Sequence, residues 1–243
     1  MMFGQLTAAL SDARARLDVV ALQLAGNLVL LALAWFWLGM GVGSLWALAG
    51  LVLLAVVMVC LSALLHGSGL AAFRPMTLRE AFGAARARLP RLVCYTLLAL
   101  ALLLAWDLAG SFAREAGQWA ASAATFSSQS PVKPETMEGV YVWALRIAFV
   151  WLALLLHPVA GRLAGGIDSA VRVWKQPAYW LGGAVFSVFG LLLPWWLLHW
   201  VPAFTAIGME TASAMARFGA AYVLAVASWA AMAALMARLG REA

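Results

Sequence analysis

Six stretches of the chain are apolar almost without interruption, at residues 19–40, 45–65, 92–111, 140–158, 179–199 and 218–237. A bilayer core about 30 Å thick needs about 20 apolar residues per crossing helix, so each stretch can span it. The apolar positions are continuous and do not alternate over ten-residue segments, which predicts helices and argues against a β-barrel. Pro194 falls inside the fifth stretch. A bend is expected there, because proline removes a backbone donor and crowds the preceding turn.

A second pattern lies between the spans. Residues 6–17 read LTAALSDARARL and residues 78–89 read LREAFGAARARL. Leu6, Ala9, Leu10, Ala13 and Leu17 recur at the spacing of one helix face, and so do Leu78, Ala81, Phe82, Ala85 and Leu89. Ile167, Ala170, Val171, Trp174 and Ala178 repeat the pattern a third time, with Lys175 where the other copies have Arg14 and Arg86. Each copy leads into two spans, and two of the units end alike, in ALLH at 63–66 and LLLH at 154–157.

The chain therefore reads as one all-α integral membrane domain over 1–243, with six transmembrane helices in three approximate units, 6–66, 77–158 and 166–238. Each unit is an amphipathic interfacial helix followed by a transmembrane hairpin. Such a helix is expected to lie in the membrane plane, apolar stripe down and arginines toward phosphates. Thr77 and Glu80 supply a T-x-x-E capping box for the second copy. The competing reading is that the positive-inside rule alone makes any cytoplasmic segment basic and amphipathic.

Composition narrows the class. Hydrophobic residues make up 65% of the chain and charged ones 11%, against roughly 45–50% and about 25% in soluble domains. That leaves too few charges to coat a water-facing globule, and too much apolar content for disorder. The two cysteines, Cys60 and Cys94, fall within spans, where small apolar packing is expected and a disulfide is not.

The location of the charges sets an orientation. Twelve of the 16 positive residues share one side: Arg14, Arg16, Arg74, Arg79, Arg86, Arg88, Arg91, Arg162, Arg172, Lys175, Arg238 and Arg241. By the positive-inside rule that side is cytoplasmic and both termini lie inside, in a bacterial-type inner membrane. Tryptophans gather near the outer ends of the spans, as an aromatic belt would. No cleavable signal is expected, because the first apolar run is too long for one. The net charge of +6 points to anionic lipid headgroups beside the spans, not to nucleic acid.

The segments at 77–91 and 166–177, each introducing a span, resemble those of the six-helix membrane-anchor domain of some bacterial glycerophosphodiester phosphodiesterases and related bacterial membrane families. The resemblance implies a membrane-embedded accessory role. It transfers no catalytic residue, and no phosphodiesterase domain is expected within these 243 residues.

Candidate chemistry is sparse. Arg146 lies about two turns into the fourth span, and Asp107 sits at matching depth in the third. An intramembrane charge marks a functional site by default, so the two are a candidate ion pair or ligand site; a packing pair or a snorkelling arginine is the structural alternative. His199, Glu210, Arg217 and Trp196 lie near the same outer face and form a candidate pocket, or simply belt residues. His66 and His157 occupy equivalent inner ends of spans, where haem or metal ligation competes with the suitability of histidine for a helix C-terminus.

Gln23 and Asn27 make a polar stripe on the first span. Gly39, Gly41 and Gly43 give G-x-G-x-G, but without a preceding strand or dinucleotide spacing this reads as a hairpin turn. Alanines at 216, 220, 227, 230, 231 and 234 allow close helix approach in the bundle or at an interface. In the outer segment 112–139, residues 112–126 read as a surface helix and 127–134 as a loop.

No catalytic constellation, cofactor motif or metal motif is read from the chain. The expected function is a non-enzymatic membrane subunit or accessory protein that binds other membrane proteins or lipids, with anionic headgroups at Arg14, Arg16, Arg79, Arg86, Arg88, Arg172 and Lys175. A small transporter or lipid-handling permease using Arg146 and Asp107 is the first alternative, and a haem or metal protein using His66 and His157 the second.

Overall fold

The computed structural model describes residues 2–128, 130–203 and 207–241. Parts of the 112–139 segment and of the connection before the sixth span therefore lie outside the described residues. In chain order the helices are α1 (Met2–Ala15), α2 (Leu17–Gly39), α3 (Leu45–Ala72), α4 (Leu78–Ala87), α5 (Leu89–Ser111) and α6 (Ala113–Ser128). There follow α7 (Pro134–Ala164), α8 (Ala170–Trp174), α9 (Pro177–Ser187), a π-helical turn (Val188–Leu192), α10 (Leu193–His199) and α11 (Ile207–Leu239). Six helical stretches are long and apolar enough to cross a membrane: Leu17–Gly39, Leu45–Ala72, Leu89–Ser111, Pro134–Ala164, Pro177–His199 and Gly208–Leu239. The chain is a multi-pass helical membrane protein.

Local chemistry explains the boundaries. Ser44 caps α3 by accepting from Ala47 N–H at 3.1 Å. Thr77 and Glu80 close the capping box of α4 in both directions. At the end of α7, Gly165 takes φ +83°, and the N–H groups of Gly165 and Gly166 return to Arg162 O at 3.0 Å and Gly161 O at 2.8 Å. That is a Schellman closure, which needs a residue free to enter the left-handed region. Just before Pro194 the helix widens into a π turn, in which Leu193 N–H reaches back to Val188 O.

The chain divides into two compact units, Met1–Val93 with His157–Ala243, and Cys94–Leu156, the division falling within α5 and α7. In the first unit α11 is the central element, in contact with α1, α2, α8, α9, the π turn and α10. Its C-terminal turns, including Ala230, Ala233, Ala234, Leu235, Met236 and Leu239, are buried. The alanine-rich sixth span thus packs inside this unit.

The buried ends extend two spans beyond their expected limits. The stretch from Gly67 to Phe73 at the end of α3 is buried almost completely, as are Pro158, Ala160, Gly161 and Ala164 near the end of α7. Between helices in lipid, packing replaces the hydrophobic drive, so small residues gather where backbones approach. A Cβ on Gly161 would stand 2.5 Å from Met236 Cε, and one on Gly67 2.5 Å from Leu92 Cδ1.

Part of the apolar stripe of α1 and of α4 is covered by protein. α1 packs on α11 and α9, and α4 on α3. Leu6, Ala9 and Ala13 are buried on α1, and Ala81 and Ala85 on α4. Leu10 and Leu17 stay exposed.

In the second unit, hydrogen bonds and ring contacts set the register of α5 against α7. Tyr95 Oη donates to Leu156 O and Tyr141 Oη to Ala109 O, both at 3.0 Å. The Trp106 and Phe149 rings lie 5.1 Å apart. α6 forms where a surface helix was expected, and its buried residues Ala113, Gly117 and Ala121 are one turn apart. Any Cβ at Gly117 would come within 2.8 Å of the Glu138 backbone, so this small face seats α6 against the start of α7.

Candidate functional site

The polar groups of the first unit converge where α3, α7 and α11 end. A helix C-terminus leaves carbonyls without intrahelical partners and carries the negative end of the helix dipole. Arginines reach these carbonyls from elsewhere in the chain. Arg16 Nη1 donates to Ala72 O in the last turn of α3, and also to Arg74 O at 3.4 Å and Met76 O at 3.3 Å. Its Nε meets Asp18 at 3.0 Å. Arg88 Nη1 donates to Ala164 O at 2.8 Å, at the end of α7. Arg172 Nη1 reaches Gly240 O beyond α11 at 3.5 Å.

Two further arginines tie connections together. Arg74 donates to Gly166 O at 3.2 Å and pairs with Asp168, and Arg238 meets Asp12 at 3.4 Å. The guanidinium fork suits several acceptors at once. Arg16, Arg88 and Arg172 are therefore engaged with backbone carbonyls, a role the charge pattern did not reveal. Arg14, Arg79, Arg86 and Lys175 are exposed. Beside them, hydrogen bonds from the Thr77 backbone and hydroxyl hold the Glu80 carboxyl below its ordinary pKa.

Just inside these caps lies a buried polar layer. Gln23 Nε2 donates to Leu65 O at 2.8 Å, and Ser68 Oγ donates to the same oxygen at 2.9 Å. Asn27 Nδ2 donates to Gln23 O at 2.8 Å. The polar stripe on the first span thus serves helix contacts, with Gln23 fully buried. Each of the carbonyls accepting from Gln23 and Tyr95 precedes a histidine: Leu65 before His66, Leu156 before His157.

His66 and His157 both fall in the first unit. His66 meets the Trp229 ring edge-on at 5.9 Å. His157 Nε2 is buried and has no hydrogen-bond partner. The surroundings are tight, since a Cβ on Gly69 would stand 2.8 Å from Trp229 and closer still to Gln23. Among the described residues, no three of His, Cys, Asp and Glu cluster as metal ligands.

In the second unit, the Arg146 guanidinium carbon lies 4.9 Å from the Trp143 ring centroid, a cation–π contact. Asp107 is exposed on α5, next to Trp106. Because Trp106 meets Phe149, one turn beyond Arg146, the carboxylate and guanidinium share a level.

At the far end of α10, Arg217 Nη1 donates to Leu197 O at 3.2 Å and to Trp200 O. His199 Nδ1 lies 2.8 Å from Trp195 O, and the Trp196 and Trp200 rings stack at 5.5 Å. Arg217 is thus another carbonyl cap, while Glu210 is exposed on the first turn of α11. Comparison with family models, curated proteins and solved structures finds no match.

Proposed function

We propose that this protein is a non-enzymatic integral membrane subunit or accessory protein that binds other membrane proteins or lipids. A contrast between helices carries the reading. In α11, 61% of the apolar window is buried, against 6% in α5 and 0% in α7. On α7 the exposed side chains include Trp143, Ile147, Trp151 and Leu155, large apolar groups that a second membrane-embedded surface would cover. On the basic side, exposed Arg14, Arg79, Arg86 and Lys175 would hold anionic headgroups.

In this reading the chain is built from three repeats, with both termini inside a bacterial inner membrane. Matched bonds support the first two. Arg16 and Arg88 hold equivalent places in the two copies, and each donates to a carbonyl at the end of its unit's second span. Gln23 and Tyr95 are equivalent as well, and each donates to the carbonyl before a histidine. Coincidence of apolar composition would not match both bonds.

Affinity purification in mild detergent tests the proposal. A stoichiometric membrane partner or retained anionic lipid is expected; a monomer recovered bare would overturn it. The shared depth of Arg146 and Asp107 supports a second reading as a small transporter or lipid-handling permease. Arg146→Leu that left both the fold and the cellular phenotype intact would remove that reading.

A further inference from the structure

In the second unit, α5 and α6 run antiparallel to α7 in one continuous hairpin. Tyr95 bonds to Leu156 and Tyr141 to Ala109, a Cβ on Gly117 would touch the Glu138 backbone, and Val132 N–H donates to Thr125 Oγ1 at 3.0 Å. α6 therefore continues along α7 and does not turn into the membrane plane. From Gly117 onward it stands level with residues 132–138, where Lys133, Glu135 and Glu138 precede the apolar run of α7. Charges at that level place it in water.

The face of α6 opposite buried Ala113, Gly117 and Ala121 is nevertheless apolar. Phe112, Trp119 and Phe126 are 54%, 77% and 91% exposed, and Ala116 and Ala123 lie between them. Steps of four and three residues make this a heptad seam, the pattern that a second helix completes.

We propose that the seam pairs with the same seam of a second copy of the chain, as a parallel two-stranded coil about a two-fold axis along the membrane normal. Two copies inserted alike hold α6 in one direction and at one height, so identical residues meet. Area agrees. At about 200 Å² for a whole aromatic side chain, the exposed fractions leave on the order of 450 Å² per chain, so two copies bring about 900 Å² of ring surface, near the ~1,000 Å² at which specific interfaces begin. Charge agrees as well: Glu115 flanks the seam on one side and Ala120 on the other, so a parallel pair sets Glu115 against Ala120 of the second copy and no like charges meet. This goes beyond the accessory-protein reading and does not depend on it.

The test uses the full-length chain in proteoliposomes, with Cys60→Ala and Cys94→Ala removing both native thiols. Ala116→Cys and Ala123→Cys keep every ring of the seam. Each is expected to give a disulfide-linked dimer on mild oxidation, since bridged residues must come within about 7 Å between Cα atoms. Gln118→Cys, exposed on α6 but off the seam, should stay monomeric. Adding Trp119→Glu to Ala123→Cys should lower the dimer yield by at least about 10-fold, with helix content unchanged because Trp119 is exposed. Absence of a dimer at both alanines, equal yield from Gln118→Cys, or indifference to Trp119→Glu would each overturn the proposal. So would a monomer whose Ala123→Cys thiol is shielded from a water-soluble maleimide, which would assign the stripe to lipid.

Discussion

Arg88 donates from Nη1 to Ala164 O at 2.8 Å, closing α7 with a residue 76 positions earlier in the chain. The bond crosses the place where Gly165 turns the chain at φ +83°, and any Cβ there would collide with the guanidinium. Arginine and glycine thus form one device. Arg88→Ala should cost about 1–3 kcal/mol, the penalty of leaving a carbonyl unsatisfied in partly buried surroundings. Gly165→Ala should destabilise by a similar amount or more, through both φ and the displaced arginine. Because the two act on one contact, the double variant should cost less than the sum. Thermal unfolding in detergent checks this, and strict additivity would mean that they are independent.

Gln23 and Tyr95 occupy matching places but should differ in energy. Leu65 O accepts from both Gln23 and Ser68, so Gln23→Leu still leaves that oxygen a donor. The cost then comes from fitting the new side chain against Gly69, where space is already exhausted. Overpacking of this kind costs about 1–3 kcal/mol. Tyr95→Phe removes only a hydroxyl and one interhelical bond, for about 0.6 kcal/mol. Chemical unfolding in detergent should rank Gln23→Leu as clearly the more damaging change.

The spans were legible because lipid imposes a length and an apolar run, and runs such as 45–65 supply both. Their extension was not. Gly67, Ser68 and Gly69, or Pro158, Gly161 and the glycines after Ala164, read as breakers in a single sequence. They continue the helix, or close it one turn later, because backbones there pack too closely for larger residues. Nothing in the shared ARARL sequence distinguishes Arg16 and Arg88, which bind carbonyls, from Arg14 and Arg86, which face outward. That distinction depends on where α3 and α7 end in space.

The capping box of α4 gives a pH dependence. Hydrogen bonds from Thr77 lower the folded-state pKa of Glu80, so its contribution to α4 is complete above the ordinary carboxyl pKa. It is lost as pH falls through the depressed folded value. Hydrogen exchange of the first-turn amides of α4 should therefore accelerate, relative to α1, as the pH is lowered through the carboxylate range. Glu80→Gln keeps hydrogen-bonding capacity and should remove the pH dependence. An equal response in both proteins would assign the effect to another group.

Capped and exposed arginines should separate in lipid binding. Arg79 and Arg86 are seven residues apart on α4, hence on one face, opposite buried Ala81 and Ala85. With their charge facing outward, replacing both by glutamine should reduce co-purified anionic lipid by about fivefold per residue, with little change in unfolding temperature. Replacing Arg16 and Arg88 should do the reverse, lowering the unfolding temperature while leaving most lipid in place, because their guanidinium groups are spent on Ala72 and Ala164. Mass spectrometry of bound lipid beside a melting curve reads both quantities from one preparation. If all four replacements lowered lipid retention equally, the division between structural and lipid-facing arginines would fail.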